Sequence, residues 1–219
     1  MHAKAFICTS KKPFLGSHPM DLQTSKYLGG IGALLLFIGP LITFANVFAG
    51  LLPLIGFILV LIALKGLADY YNEGGIFNNA LYGFAAGIVG GVVSVGILVG
   101  TALAALADLG ITDWANMAEW TDVAITGAIF GILSAIILTA VVVFIFVIIV
   151  AWFYRRSLSV LATKSGVGLF GTAGLIILIG AFLTIIAIGF LLIWISFILI
   201  AIAFFSLRPT STESAQAPP

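Results

Sequence analysis

Very few side chains of this 219-residue chain have the chemistry of a catalytic or metal-binding group. Both histidines, His2 and His18, and the lone cysteine, Cys8, lie in the N-terminal stretch, and they make too small a ligand set for a metal or a haem. A serine hydrolase would need a base beside Ser94 or Ser134, and no histidine follows the N-terminal stretch. We therefore predict no catalytic residue, no metal site and no cofactor.

Two aspartates are candidates for a proton-sharing dyad, and the basic residues are candidates for nucleic-acid contacts. Asp69 and Asp108 flank opposite ends of one apolar segment, so they are too far apart to share a proton. The nine lysines and arginines form no dense cluster, and no glycine-rich phosphate loop with its lysine is present. The sequence thus predicts neither an enzyme nor a nucleic-acid partner.

Glycine spacing is the strongest positive signal in the chain. Small residues recur mostly at intervals of four in two apolar segments, which on a helix lines them along a stripe where another backbone can approach closely. The candidate helix-packing residues are Gly83, Gly87, Gly91, Gly96, Gly100, Gly127 and Gly131. Three interpretations are open: packing of the two segments on each other, self-association into a homo-oligomer, and the lining of a pore or lipid groove.

The most polar stretch between apolar segments, residues 65–82, is a candidate docking surface for a membrane or cytoplasmic protein partner. The residues predicted to contact such a partner are Asp69, Tyr70, Tyr71 and Glu73. Residues 73–75 predict a turn, and Asn78 or Asn79 is predicted to cap the following helix. The simpler alternative is a connecting elbow that its tyrosines anchor at the membrane surface.

Composition places all these residues in a membrane protein. Hydrophobic residues make up 62% of the chain, charged residues only 8%, and the mean hydropathy is +1.28. We predict an all-α bundle of six transmembrane helices arranged as three hairpins, since a span needs about 20 apolar residues. The apolar stretches are 29–48, 51–67, 80–107, 123–153 and 166–207. The last stretch is too long for one helix and is predicted to turn at residues 188–189.

The distribution of charge predicts the orientation, because lysine and arginine near the ends of spans stay cytoplasmic. With six spans, all nine basic residues fall on the side of the two termini, and the acidic loop 108–122 lies on the other side. We therefore predict a multi-pass protein of the cell membrane with both termini in the cytoplasm. Residues 1–26 form a polar N-terminal tail, residues 27–207 the transmembrane domain, and residues 208–219 a disordered C-terminal tail.

The first and last hairpins have similar sequences. Residues 34–43 align with 175–184, with Gly39 opposite Gly180, and residues 57–63 align with 197–203. The offsets of 141 and 140 positions indicate either an internal parallel repeat or two unrelated apolar hairpins of like composition.

Two long runs carry a resemblance to a known family. The run LGGIGALLLFIGP, followed by FILVLIALKGLADYYNEGGIFNNALYGF, resembles the archaeal membrane proteins that share domain of unknown function 996. The closing run, GLFGTAGLIILIGAFLTIIAIGFLLI, is similar to the last hairpin of that family. The resemblance covers residues 24–207 and implies an archaeal multispan membrane protein with no assigned activity, so it carries over no catalytic residue.

Two functions are consistent with these features. We expect a non-enzymatic structural, assembly or partner-binding protein embedded in the lipid bilayer. The alternative is a channel or facilitator for an ion, an uncharged solute or a lipid, which would use backbone carbonyls and a few polar side chains. Those side chains are Thr43, Asn46, Ser94, Thr101, Thr139, Thr184 and Ser196. Their convergence on one axis would favour transport.

Overall fold

Six α-helices make up most of the structure. The computed structural model describes residues 21–43, 51–108 and 122–208. The helices are α1 (Leu22–Thr43), α2 (Leu51–Tyr70), α3 (Gly74–Asp108), α4 (Asp122–Ser165), α5 (Leu169–Leu183) and α6 (Ile188–Phe205). Each is long and apolar enough to cross a membrane, α5 together with the short turn that follows it, and the described ranges contain no strand. The prediction of an all-α bundle with six membrane-spanning helices is confirmed.

The connection between α2 and α3 is a three-residue turn at residues 71–73. Asn72 adopts a left-handed backbone conformation with a φ of 52°, which asparagine tolerates better than most residues. The amide of Glu73 donates to the carbonyl of Ala68 at 2.9 Å and so satisfies one of the last carbonyls of α2. The turn predicted at 73–75 is therefore wrong by two residues.

The two asparagines predicted to cap α3 lie inside that helix. α3 begins at Gly74, four residues before Asn78. The side-chain amide of Asn79 donates to the carbonyl of Gly75 at 2.7 Å, a bond within the helix. The capping prediction is wrong because α3 extends further toward its N-terminus than the apolar run that predicted it.

The C-terminal apolar run folds back on itself as predicted, but slightly earlier than residues 188–189. A 3-10 turn at Thr184–Ile186 is followed by Ala187, whose φ of 62° is left-handed. Gly189 lies within α6 and packs so closely on the backbone of Gly180 that no side chain would fit. The glycine that predicted the turn therefore serves the contact between α5 and α6.

The six helices form a closed ring. Each helix packs mainly against its neighbours in the chain, and α1 packs against α6, which closes the ring. The α2–α3 contact is the least extensive of the six. α3 and α4, with 35 and 44 residues, are about 52 and 66 Å long, so their hairpin extends beyond the other four helices. Leu103 and Phe130, on the extended part, are exposed.

Most of the buried core lies toward the end of the bundle at which α1, α3 and α5 begin. This end, the basic end, carries Lys26, Lys65, Lys164 and Arg208. The largest fully buried side chains cluster near it: Leu64, Leu67, Leu158, Leu161, Phe170 and Phe204. The packing therefore joins all three hairpins at the basic end, whose cytoplasmic location stays a prediction.

Two hydrogen bonds between distant parts of the chain fasten the basic end. The ammonium group of Lys26 donates to the carbonyl of Leu207 at 3.0 Å and ties the start of α1 to the end of α6. The hydroxyl of Ser157 in α4 is buried and donates to the carbonyl of Ile76 in α3 at 2.6 Å. Both bonds therefore connect segments that are far apart in the sequence.

The two terminal hairpins place matched residues in matched contacts. A Cβ at Gly39 would lie 2.7 Å from Cγ of Pro53, and one at Gly180 would lie 2.9 Å from Cγ1 of Ile193. Gly39 and Gly180 are aligned, and Pro53 and Ile193 are 140 positions apart, the offset of the second aligned block. The hairpins share a packing pattern as well as a sequence pattern, and their common ancestry stays a hypothesis.

Candidate functional site

Among the described residues, the stripe of small residues on α3 contacts α4 only in the half of the stripe that lies nearer the basic end. A Cβ at Gly83 would lie 3.0 Å from the ring of Tyr154, and one at Gly87 would lie 3.7 Å from Cγ2 of Val150. At Gly83 a side chain would press on the ring of Tyr154, which would have to shift by a few tenths of an ångström. At Gly87 a methyl group would make an ordinary van der Waals contact.

The other five predicted packing glycines stand in open space. A Cβ at any of them would have no atom within 4 Å beyond its own helix and chain neighbours among the described residues: Gly91, Gly96, Gly100, Gly127 and Gly131. The structure thus brings none of these five into a close contact within the chain. Their role in self-association stays a prediction.

A further packing glycine, Gly90, escaped the sequence reasoning. A Cβ there would lie 2.5 Å from the ring of Phe146, so the α3–α4 contact at this level requires a glycine. Gly83 and Gly90 are seven residues apart, which is about two helical turns and the same face. A heptad spacing, rather than the interval of four, was the signal that identifies the α4-facing side of α3.

The ring of helices surrounds one apolar cavity of about 570 Å³. Its wall includes Leu36 of α1, Phe57 and Val60 of α2, Val147 of α4 and Ile177 of α5. The remaining lining residues are Leu64, Gly87, Gly90, Gly91, Ser94, Val95, Val143, Phe146, Val150, Ala151, Tyr154, Leu158, Phe190, Ile193, Phe197 and Ile200. All six helices therefore contribute to one site, which on α4 extends over the 16 residues from Val143 to Leu158, whose ends are about 22 Å apart.

The cavity wall is almost entirely apolar. Of its described lining residues, only Ser94 and Tyr154 have polar side-chain atoms, and none is charged. The hydroxyl of Ser94 donates to the carbonyl of Gly90 at 2.7 Å, so it is occupied within its own helix. The hydroxyl of Tyr154 is buried with no hydrogen-bond partner in the described structure, and its ring meets Phe57 edge-on at 5.6 Å.

The polar side chains that a channel would use do not converge on this cavity. Thr101, Thr184 and Ser196 each donate a hydrogen bond to a carbonyl of their own helix. Of the five singled-out polar residues whose side chains the structure describes, only Ser94 lines the cavity. Asn46 and the side chain of Thr43 lie outside the part of the chain that the structure describes.

A second, smaller cavity of about 330 Å³ lies at the α2–α3 contact. We call this contact the α2–α3 seam; its cavity is lined by Pro53, Leu54, Phe57, Gly83, Phe84, Gly87, Ile88 and Val150. Phe57, Gly87 and Val150 line both cavities. The two spaces therefore adjoin at the place where the ring of helices is least tightly packed.

The predicted docking residues lie together at the basic end. Lys65 and Asp69 are paired at 3.7 Å, and Glu73 forms an ion pair with Lys164 of α4 at 3.1 Å. This second pair joins the α2–α3 turn to the end of α4. A partner for this surface stays a prediction.

The two tyrosines of the docking surface contact each other. The rings of Tyr70 and Tyr71 meet edge-on with their centroids 5.0 Å apart. Burial, and to a smaller extent the neighbouring Tyr70, raise the pKa of Tyr71 above the ordinary value for tyrosine. The hydroxyl oxygen of Tyr71 is buried and has no hydrogen-bond partner among the described residues.

The described residues contain no group of three or more histidine, cysteine, aspartate or glutamate side chains that could hold a metal ion. Several residues considered from the sequence, namely His2, Cys8, His18 and the loop 109–121, lie outside these described ranges. The predicted absence of a metal and a cofactor stays a prediction.

Comparisons with known proteins find a family and a relative of unknown function. A family model described as "Protein of unknown function (DUF996)" matches residues 52–202. The chain is 29% identical over 188 residues to the uncharacterized protein MJ1644 of Methanocaldococcus jannaschii, covering 86% of this chain and 94% of that relative. Among solved structures, none matches the chain. Apart from Leu36, every residue that lines the large cavity lies within the range matched by the family model.

Proposed function

Because this chain belongs to the DUF996 family of proteins of unknown function, we propose its role from the geometry of the bundle. The proposed role is that of a non-enzymatic multi-pass membrane protein that binds the hydrocarbon chain of a lipid. The observation that carries the proposal is the apolar cavity to which all six helices contribute. Its volume of about 570 Å³ falls within the range of roughly 300–1,000 Å³ that is typical of ligand pockets. Apolar cavities stay dry and take up apolar molecules.

The same wall argues against conduction of an ion or a polar solute. An ion that leaves water needs carbonyl or side-chain ligands to replace its hydration shell. The wall offers two hydroxyl groups, of which that of Ser94 is bonded to its own helix. A hydrocarbon chain requires no such ligands, and its transfer from the bilayer core into an apolar cavity costs no desolvation of polar groups.

A photoreactive lipid analogue tests this proposal directly. We would incubate the purified protein in detergent with hexadecanol that carries a diazirine in its chain, irradiate it and map the labelled peptides. The expected result is labelling of residues 143–158 that saturates and is competed by unlabelled hexadecanol. Labelling that never saturates and falls only on the exposed outer faces of the helices would refute the proposal.

A matched pair of variants on α4 separates cavity binding from contact with the surrounding detergent. Val147 lines the cavity, whereas Ile145, two residues away, is exposed on the outside of the bundle. Val147→Phe should reduce the saturable labelling because its larger side chain fills the space. Ile145→Phe should leave it unchanged. Equal labelling of both variants and the wild type would contradict a site inside the ring.

A second candidate function is that of an assembly protein that dimerises in the membrane. It rests on the exposed glycines of α3. Gly96 and Gly100 are exposed, separated by one helical turn, and have open space around them. Such a pair allows close backbone contact between membrane helices, which gain little from apolar burial alone. If the protein dimerises through this face, chemical cross-linking should give a dimer band for the wild type and for Gly87→Ala, but not for Gly96→Leu. A dimer band unchanged in Gly96→Leu would exclude this face.

A further inference from the structure

We infer that the ligand of the large cavity is a lipid that enters sideways from the bilayer, through the α2–α3 seam, and not a solute that enters from water. This inference rests on the proposed function, since it specifies how the same cavity is filled. Two observations support it: the two cavities share lining residues, and the residues around the smaller cavity are all apolar.

The seam leads from the outside of the bundle to the large cavity. Leu54 and Ile88, which flank its outer side, are 55% and 52% exposed. Phe57, Gly87 and Val150 lie at its inner side and also line the large cavity. A chain that passes between Leu54 and Ile88 therefore reaches the wall of the large cavity without crossing another helix.

Gly87 keeps the inner part of the seam open. It is exposed, and a Cβ at this position would still lie 3.7 Å from its nearest neighbour, Cγ2 of Val150. The gap is thus not filled by helix packing, and a larger side chain at this position would project into it. The rings of Phe57 and Phe84 face each other across the two helices with their centroids 5.7 Å apart. These two rings are the groups that must separate when a chain passes.

The surroundings of the seam are those of the membrane interior. Its eight described lining residues contain no charged or polar side chain. The segments of α2 and α3 that are apolar enough to cross a membrane, Leu51–Tyr70 and Gly74–Ala104, include all the seam residues of these two helices. Toward the basic end, the large cavity is closed by Leu64 and Leu158, which are almost fully buried. Water at the basic end therefore has no path to the cavity, whereas hydrocarbon has one.

Reversible closure of the seam tests the inference. In a Cys8→Ser background, Leu54→Cys with Ile88→Cys places two thiols on opposite sides of the seam. A short bifunctional methanethiosulfonate would join them, and a reductant would release them. We would measure how fast the diazirine-bearing hexadecanol reaches its saturable site. The labelling rate should fall on cross-linking and recover on reduction.

The two single-cysteine variants treated with the same reagent control for modification without closure, and both should label faster than the cross-linked double variant. Gly87→Leu gives an independent test without cysteines, and it should slow labelling. Gly131→Leu, at an exposed glycine that lines neither cavity, should not. Saturable labelling at an unchanged rate after cross-linking would overturn the inference while the proposed function stands. Loss of saturable labelling in the wild type itself would overturn the proposed function instead.

A second opening exists toward the far end of the cavity, where Val95 and Phe190 are 60% and 59% exposed. Val99 lies one helical turn beyond Val95 on α3, is exposed and lines neither cavity, so Val99→Trp would obstruct this end without filling the binding site or touching the seam. If the lipid enters through the seam, this variant should label at the rate of the wild type. Slower labelling in Val99→Trp, together with no effect of the cross-link, would assign entry to the far end and contradict entry through the seam.

Discussion

Gly32 of α1 and Gly56 of α2 face each other so closely that a Cβ on either would lie 2.7 Å from the carbonyl oxygen of the other. The contact is reciprocal, which means that both helices need a glycine at the crossing point. In a bilayer, where apolar burial gives little driving force between helices, such close backbone contact is what holds a hairpin together.

Gly56→Ala should therefore destabilise the protein. The added methyl group forces the α1 and α2 backbones apart, at a cost of about 1–3 kcal/mol, which exceeds the gain of about 1 kcal/mol in helix propensity. Denaturation by sodium dodecyl sulfate, followed by circular dichroism in detergent, measures the change. Gly96→Ala is the matched control, because its Cβ meets no atom and only the propensity gain remains. A Gly56→Ala protein as stable as Gly96→Ala would contradict the contact.

Removal of the hydroxyl of Ser157 and removal of that of Tyr154 should affect stability differently, although both residues belong to α4. Ser157 donates to the carbonyl of Ile76, and its replacement by alanine should cost about 1 kcal/mol. The hydroxyl of Tyr154 is buried without a partner in the described structure, so Tyr154→Phe removes an unpaired polar group and should be neutral or stabilising. The same denaturation assay compares the two variants. A loss of stability in Tyr154→Phe would indicate that a ligand or a water molecule bonds this hydroxyl.

The sequence was sufficient for the six spans and the reversal of the C-terminal run, because span length and apolar composition are local properties. It was less informative about which face each helix turns toward its neighbours. Gly90 and Gly96 both belong to glycine-rich α3, yet the first presses on Phe146 and the second meets open space. Only the rotation of α3 against α4, which is a tertiary property, distinguishes them. The large cavity depends on ring closure by α1 and α6, which local sequence does not encode.

The ion pair between Glu73 and Lys164 should contribute little to stability. Their side chains are 35% and 45% exposed, so solvent screens the attraction and the coupling should be about 0.5 kcal/mol. A double-mutant cycle with Glu73→Gln and Lys164→Met measures it, and the coupling should decrease at high salt. A coupling above about 2 kcal/mol would show instead that the α2–α3 turn is held rigidly to α4.

The orientation of the bundle can be tested at its two ends. The six-span arrangement predicted from the sequence puts all nine basic residues on one side, and lysine and arginine near span ends are retained in the cytoplasm. In a Cys8→Ser background, a membrane-impermeant maleimide added to intact cells should therefore label Asp113→Cys and not Lys164→Cys. Permeabilised cells should label both, which controls for accessible thiols. Loss of the Glu73 partner in Lys164→Cys is tolerable, since that pair is exposed. Labelling of both variants in intact cells would refute six spans with both termini inside, and labelling of Lys164→Cys alone would reverse the orientation.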